Sequence, residues 1–189
     1  LRLELRIEIA RIQKKLGVTT IFVTHDQTEA LSLGDRIGVL MNGQLLQVGT
    51  PEEIYFMPKK LRVARFVGNP GMNIVRGLVK NGSLILFDKE VFDLNCGDKD
   101  VLGGFRPEDI DLFGGGFEGI VLLREFRGDH TVFYVNVNDN VIAIKSYSKA
   151  RIRVGDTIIF GIPKEKIYVF DKDSGERIWP LSNHRRVLT

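Results

Sequence analysis

A turn-rich tetrapeptide, Gly68-Asn69-Pro70-Gly71, divides the sequence into two parts whose hydrophobic patterns belong to different kinds of fold. Before it, apolar residues recur at helical spacing or in short apolar runs. After it, they alternate in short stretches separated by Asn, Asp, Gly and Pro, the pattern of a small barrel or sandwich. A chain of 189 residues is long enough for one large core or two small ones. The division predicts an α/β fragment over residues 1–66 and an all-β domain over residues 67–189.

The first part opens in mid-helix. Leu1, Leu5, Ile9, Ile12 and Leu16 fall on one helical face, and Gly17 supplies the stop. A helix entered without a cap suggests that the chain is the tail of something longer. Val18 to Thr24 is β-branched and uncharged, the composition of a strand buried on both faces of a parallel sheet. Asp26 and Glu29 then read as a capping pair for a helix from Gln27 to Leu33, stopped by Gly34. Arg36–Met41 and Gln44–Val48 flank Asn42-Gly43 and predict a hairpin. Thr50-Pro51-Glu52-Glu53 starts a further helix, and Lys59–Val67 reads as a last short one. These elements are too few to close a sheet alone.

Beyond the tetrapeptide, strands are expected at Asn73–Val79, Ser83–Phe87, Val101–Arg106, Phe117–Phe126, Thr131–Val137, Val141–Ser146, Thr157–Ile162 and Ile167–Phe170. Asn81-Gly82 marks a second tight hairpin. Gly103-Gly104 and Gly114-Gly115-Gly116 lack the lysine and strand-to-helix setting of a phosphate loop and read as turns.

His25 is the residue with the most chemistry. It stands where an apolar run meets a helix start, a position from which open α/β sheets present groups to ligands. It reads either as a hydrogen-bonded structural residue or as a contact to an anion such as phosphate. The remaining candidates have plainer readings. His130 and His184 have no metal-like spacing, and no metal site is expected. Arg106-Pro107-Glu108 reads as a strand end closed by a salt bridge and a turn. Trp179 and Tyr168 read as packing residues, with an aromatic platform as the alternative. Arg185-Arg186 is a basic pair near the end, and the lone Cys96 fits a free thiol.

Charge narrows the partners. Residues 1–66 carry 10 Lys/Arg against 7 Asp/Glu, and residues 67–189 carry 17 of each. A β domain without basic excess argues against a nucleic-acid partner, whose phosphates need a concentrated positive surface. No apolar run approaches the roughly 20 residues that span a bilayer.

The stretch from Ala10 to Pro58, with VTHDQTEA at Val23–Ala30 and DRIGVLMNGQLLQVGTPEEIY after it, resembles ABC-transporter ATP-binding subunits. The likeness is to the C-terminal portion of the sugar-importer, maltose-transporter ATPase-like subfamily. It continues through FVGNPGMN at Phe66–Asn73, FRPEDI at Phe105–Ile110 and GIPKEKIYVFD at Gly161–Asp171. The resemblance implies the end of a P-loop NTPase-type domain followed by an OB-like, MOP-type (TOBE) regulatory domain. It implies that His25 is the switch histidine, touching the γ-phosphate of ATP in the complete subunit, where ATP and Mg would be the cofactors. It also implies a homodimer, membrane permease subunits and, in some members, a regulatory protein as partners. The setting would be cytoplasmic, at the inner face of the membrane and held there only through partners. The P-loop, the glutamine loop, the LSGGQ-type signature and the Walker B strand have no counterpart in this sequence, so the chain alone is expected neither to hold a cofactor nor to hydrolyse ATP. The alternative is a stand-alone regulatory or small-ligand, anion-binding β module.

Overall fold

Local sequence signals decide most of the elements. The computed structural model describes residues 2–148 and 150–180; His184 and Arg185-Arg186 lie outside the described residues, as does Leu1. Two compact units are present, Leu1–Pro58 and Lys59–Thr189.

In the first unit, helix α1 spans Arg2–Leu16 and ends where Gly17 adopts φ +62° and donates its amide to the Gln13 carbonyl. Helix α2 spans Gln27–Leu33 between Asp26 and Gly34. Strands β1 (Ile37–Met41) and β2 (Gln44–Gly49) form the expected hairpin, with Asn42 and Gly43 both at positive φ. Helix α3, Pro51–Phe56, has a complete capping box: the Thr50 hydroxyl accepts from the Glu53 amide and the Glu53 carboxylate from the Thr50 amide.

The strand expected at Val18–Thr24 is not one. The run forms no ladder, and Ile21 and Val23 are 89% and 90% exposed. Strand propensity describes fit to a pleated, half-buried surface, and this unit offers the run no partner strand. The apolar face read on α1 is likewise uncovered: Leu5, Ile12 and Leu16 are exposed.

The second unit builds a core of its own. Helix α4, Leu61–Phe66, belongs to this compact unit, which begins at Lys59. The reason is packing: Ala64 sits with Met72, Tyr168 and Phe170, the Leu61 amide donates to the Gly175 carbonyl, and Lys60 pairs with Glu176.

Ten strands follow: β3 Asn73–Lys80, β4 Ser83–Leu86, β5 Lys89–Asp93, β6 Lys99–Phe105, β7 Phe117–Phe126, β8 Thr131–Val137, β9 Asn140–Ser146, β10 Thr157–Phe160, β11 Ile167–Asp171 and β12 Arg177–Trp179. All pairings are antiparallel, in a six-stranded sheet ordered β12-β11-β6-β3-β4-β5 and a four-stranded sheet ordered β10-β7-β8-β9. One shared core joins them. Val75, Leu86, Phe105 and Val169 of the first sheet pack with Phe117, Phe133, Val135 and Phe160 of the second. Each such side chain contributes about 1.5–3 kcal/mol by leaving water.

Asn73 ties the sheets together. Its side-chain amide donates to the Ala143 carbonyl and accepts from the Ala143 amide, both at 2.8 Å.

One glycine expectation fails for a packing reason. Gly103 and Gly104 lie inside β6 rather than in a turn. They are glycines because neighbours fill the space: a Cβ on Gly103 would stand 2.6 Å from Leu86 Cδ2, and one on Gly104 2.8 Å from Met72 Sδ. Gly115 and Gly116 do turn, at positive φ.

Candidate functional site

His25 sits on a bend between the irregular Val18–Thr24 run and α2, and the residue is exposed. Both flanking residues are tied to the first turn of the helix. Asp26, the N-cap, accepts from the Thr28 amide at 2.8 Å and the Glu29 amide at 3.4 Å. The Thr28 amide is the main reason its carboxyl is held below the usual carboxylate range; burial opposes, while the Glu29 amide and Arg6 add to the lowering.

Glu29 does not close a capping box onto the Asp26 amide directly. Its carboxylate accepts from the Thr24 hydroxyl at 2.6 Å, and that hydroxyl accepts from the Asp26 amide at 3.0 Å. Arg6, reaching across from α1, stands 3.5 Å from Asp26 and 3.9 Å from Glu29. Sequence reading found Asp26 and Glu29 but not Thr24 or Arg6. The available signal was a hydroxyl residue two positions before the cap and five before a glutamate.

The other candidates belong to the second unit. Arg106 is 1% exposed and donates from Nη1 to the Val67 carbonyl. Pro107–Asp109 forms a turn of 3-10 helix, and Asp109 pairs with Lys166 at 2.8 Å. Gly68, at φ +116°, has no room for a Cβ because Arg106 Nη1 would lie 2.8 Å away. Trp179 and Tyr168 make no platform: Trp179 packs on Phe92, with ring centres 5.6 Å apart, on the shared-core side. Tyr168 is buried with α4. His130 Nδ1 lies 2.6 Å from Asp129, whose carboxyl it holds below the usual range. Cys96 is free.

The match of the TOBE-domain family model covers residues 104–170, within the second unit. The chain is 34% identical to a xylose/arabinose import ATP-binding protein, XacK, of Haloferax volcanii, over 94% of this chain and 50% of that protein. It is 40% identical to the spermidine/putrescine import ATP-binding protein PotA of Clostridium acetobutylicum, over 92% of the chain and 50% of the relative. The trehalose/maltose import ATP-binding protein MalK of Thermococcus litoralis is 33% identical, over 95% and 54%. The chain belongs to the ABC-importer ATP-binding subunits. This ABC subunit chain spans about half the length of the curated relatives it matches, and corresponds to their C-terminal portion. Its second unit carries the OB-like TOBE domain expected from the sequence.

Among the described residues of the ABC chain, no three His, Cys, Asp or Glu side chains gather in a way that would hold a metal ion. No Gly-x-x-x-x-Gly-Lys loop occurs in the sequence. No helix among the described residues is long and apolar enough to cross a membrane.

Proposed function

We propose that this chain is the C-terminal part of the ATP-hydrolysing subunit of an importer for sugars or related solutes. In that reading His25 is the switch histidine, donating from one ring nitrogen to a γ-phosphate oxygen and accepting at the other. ATP and Mg are held by the complete subunit, and this chain alone is inactive. The TOBE domain regulates and pairs with its counterpart in a second copy, and permease subunits tie the assembly to the inner face of the membrane. A regulatory protein is a further partner in this reading.

The observation that carries it is the presentation of His25, an exposed imidazole on a bend whose two neighbours are both fastened to α2. The supporting names are those of relatives that import xylose and arabinose, trehalose and maltose, or polyamines. Mg-dependent ATP turnover of residues 1–189 beside the complete subunit tests the reading. Turnover is expected from the complete subunit alone and to fall by about a hundredfold or more in H25A. Robust turnover by the 189-residue chain would refute the assignment of one catalytic element to it.

One observation favours the alternative, a stand-alone ligand-binding β module: the second unit has its own shared core. Calorimetric titration of the chain with molybdate and with sugars, in the absence of ATP, decides it. Saturable heat would favour the module, and its absence removes that reading.

A further inference from the structure

We propose that the β7–β8 hairpin end of the four-stranded sheet, with the β9–β10 connection beside it, is a docking surface for an acidic segment of a partner protein. The inference deepens, and rests on, the reading that a regulatory protein is a partner of the second unit.

The charge of the β part is balanced only as a sum. Residues 140–155 carry four Lys/Arg and no Asp or Glu, which leaves 13 Lys/Arg against 17 Asp/Glu in the rest of residues 67–189. Three of those four, Lys145, Arg151 and Arg153, lie among the described residues, and both arginines are exposed. The fold brings a further cation to the same end. Phe126 of β7, Thr131 of β8 and Ser146 of β9 pair in one row, so β9 finishes level with the hairpin end that carries Arg124. From there the connection to β10 crosses to the opposite edge of the sheet. The acids of the hairpin end are already engaged: Glu125 pairs with Arg127 at 2.7 Å, and Asp129 with His130 at 2.6 Å.

Two aromatic rings stand among these cations. Phe126 is 67% exposed and Tyr147 63%. Arg124 lies 5.9 Å from the centre of the Phe126 ring, and Lys145 Nζ 5.5 Å from that of Tyr147, both within cation–π range. The His130 ring, itself fixed by Asp129, packs 5.8 Å from that of Tyr147. An exposed tyrosine held by its neighbours gives contact area at little cost in entropy. Exposed aromatic rings beside arginine are also the composition of interface centres.

The sign of the charge selects the occupant. A second copy meeting this surface about a two-fold axis would set like charges face to face. A neutral apolar partner would bury the cations unpaired. A short carboxylate-rich segment pairs them, whereas a long polyanion would also meet the acidic excess of the remaining residues.

Poly(Glu,Tyr), a random acidic copolymer with aromatic side chains, is the probe. Titrated calorimetrically into the 189-residue chain, it should bind saturably. Kd should rise about tenfold or more in K145E/R151E and about fivefold in Y147A. R62E/K80E makes the same change of charge at two exposed cations of the second unit outside this surface, and should leave Kd within about twofold. In the complete subunit the probe should bind with the same residue dependence and change ATP turnover by about twofold or more.

Equal weakening by R62E/K80E would overturn the proposal, by showing attraction to net charge alone. So would tighter binding of a single-stranded oligonucleotide, or of anionic vesicles, through Lys145 and Arg151. Loss of binding in the complete subunit would overturn it too, by showing the surface covered there. Binding with the expected residue dependence but unchanged turnover would leave the docking surface standing and overturn the reading of regulation. If K145E/R151E does not fold, Y147A and R151Q carry the same readouts.

Discussion

Asn73→Ala removes two hydrogen bonds with a single truncation. The side-chain amide bonds both backbone groups of Ala143 at 2.8 Å, and both residues are buried, Asn73 at 8% and Ala143 at 7% exposure. Without it, one N–H and one C=O lose their partner inside the fold. Each costs about 1–3 kcal/mol when left unsatisfied. Partial entry of water through the new space offsets some of that, so a loss of about 2–4 kcal/mol is expected.

Trp179 makes the measurement direct, because it is the only tryptophan and packs on Phe92 within the same unit. Urea titration followed by its fluorescence should show the midpoint falling by about 1–2 M at a slope of about 2 kcal/mol/M. Asn73→Asp separates the two bonds. A carboxylate still accepts from the Ala143 amide but faces the Ala143 carbonyl, so the native state favours the protonated form. Its carboxyl is thus raised relative to the unfolded chain, and the stability lost at neutral pH should return as pH falls through that raised value. A loss below about 0.5 kcal/mol in N73A, the scale of an ordinary surface substitution, would refute the claim that this amide pins the two sheets.

Asp171 gives a second pH-dependent case: the Ser174 backbone amide, then the Ser174 hydroxyl and Lys99, hold its carboxyl down at about 2. Its folded value lies below the ordinary one, so its contribution is full above about pH 4 and fades as pH falls towards 2; the urea midpoints of wild type and D171A should converge over that window. Gly103→Ala would set a Cβ 2.6 Å from Leu86 Cδ2. It should cost about 1–3 kcal/mol, and in combination with L86A the total should be less than the sum of the two single losses, as measured by a double-mutant cycle in urea.

The parts of the fold that were legible are those decided locally. Asn42-Gly43 and Asn81-Gly82 adopt the positive φ angles that tight hairpins need, and Thr50 with Glu53 closes a capping box. The strands β5 and β12 were not foreseen. The β4–β5 turn is made by Phe87 and Asp88, both at positive φ without a glycine, so the usual signal is missing. The strand β12 is three residues long and pairs through a bulge.

Val18–Thr24 shows the opposite failure, since β-branched composition specifies a strand only where another strand is present. At the candidate site, His25 and its cap were legible because both stand at a helix start. The Thr24–Glu29 bond was not, because it joins residues five apart across a bend whose shape sequence periodicity does not encode.

That same run has a colloidal consequence. Val18 to Thr24 is a seven-residue stretch with no charge and no proline, rich in β-branched side chains and open to solvent. Segments of this kind stack readily into intermolecular sheets. The nearest charged residues are Lys15 and Asp26, and none lies inside the stretch. In concentrated solution of the 189-residue chain, copies are therefore expected to pair first through this short stretch rather than through the well-packed β unit that holds most of its mass.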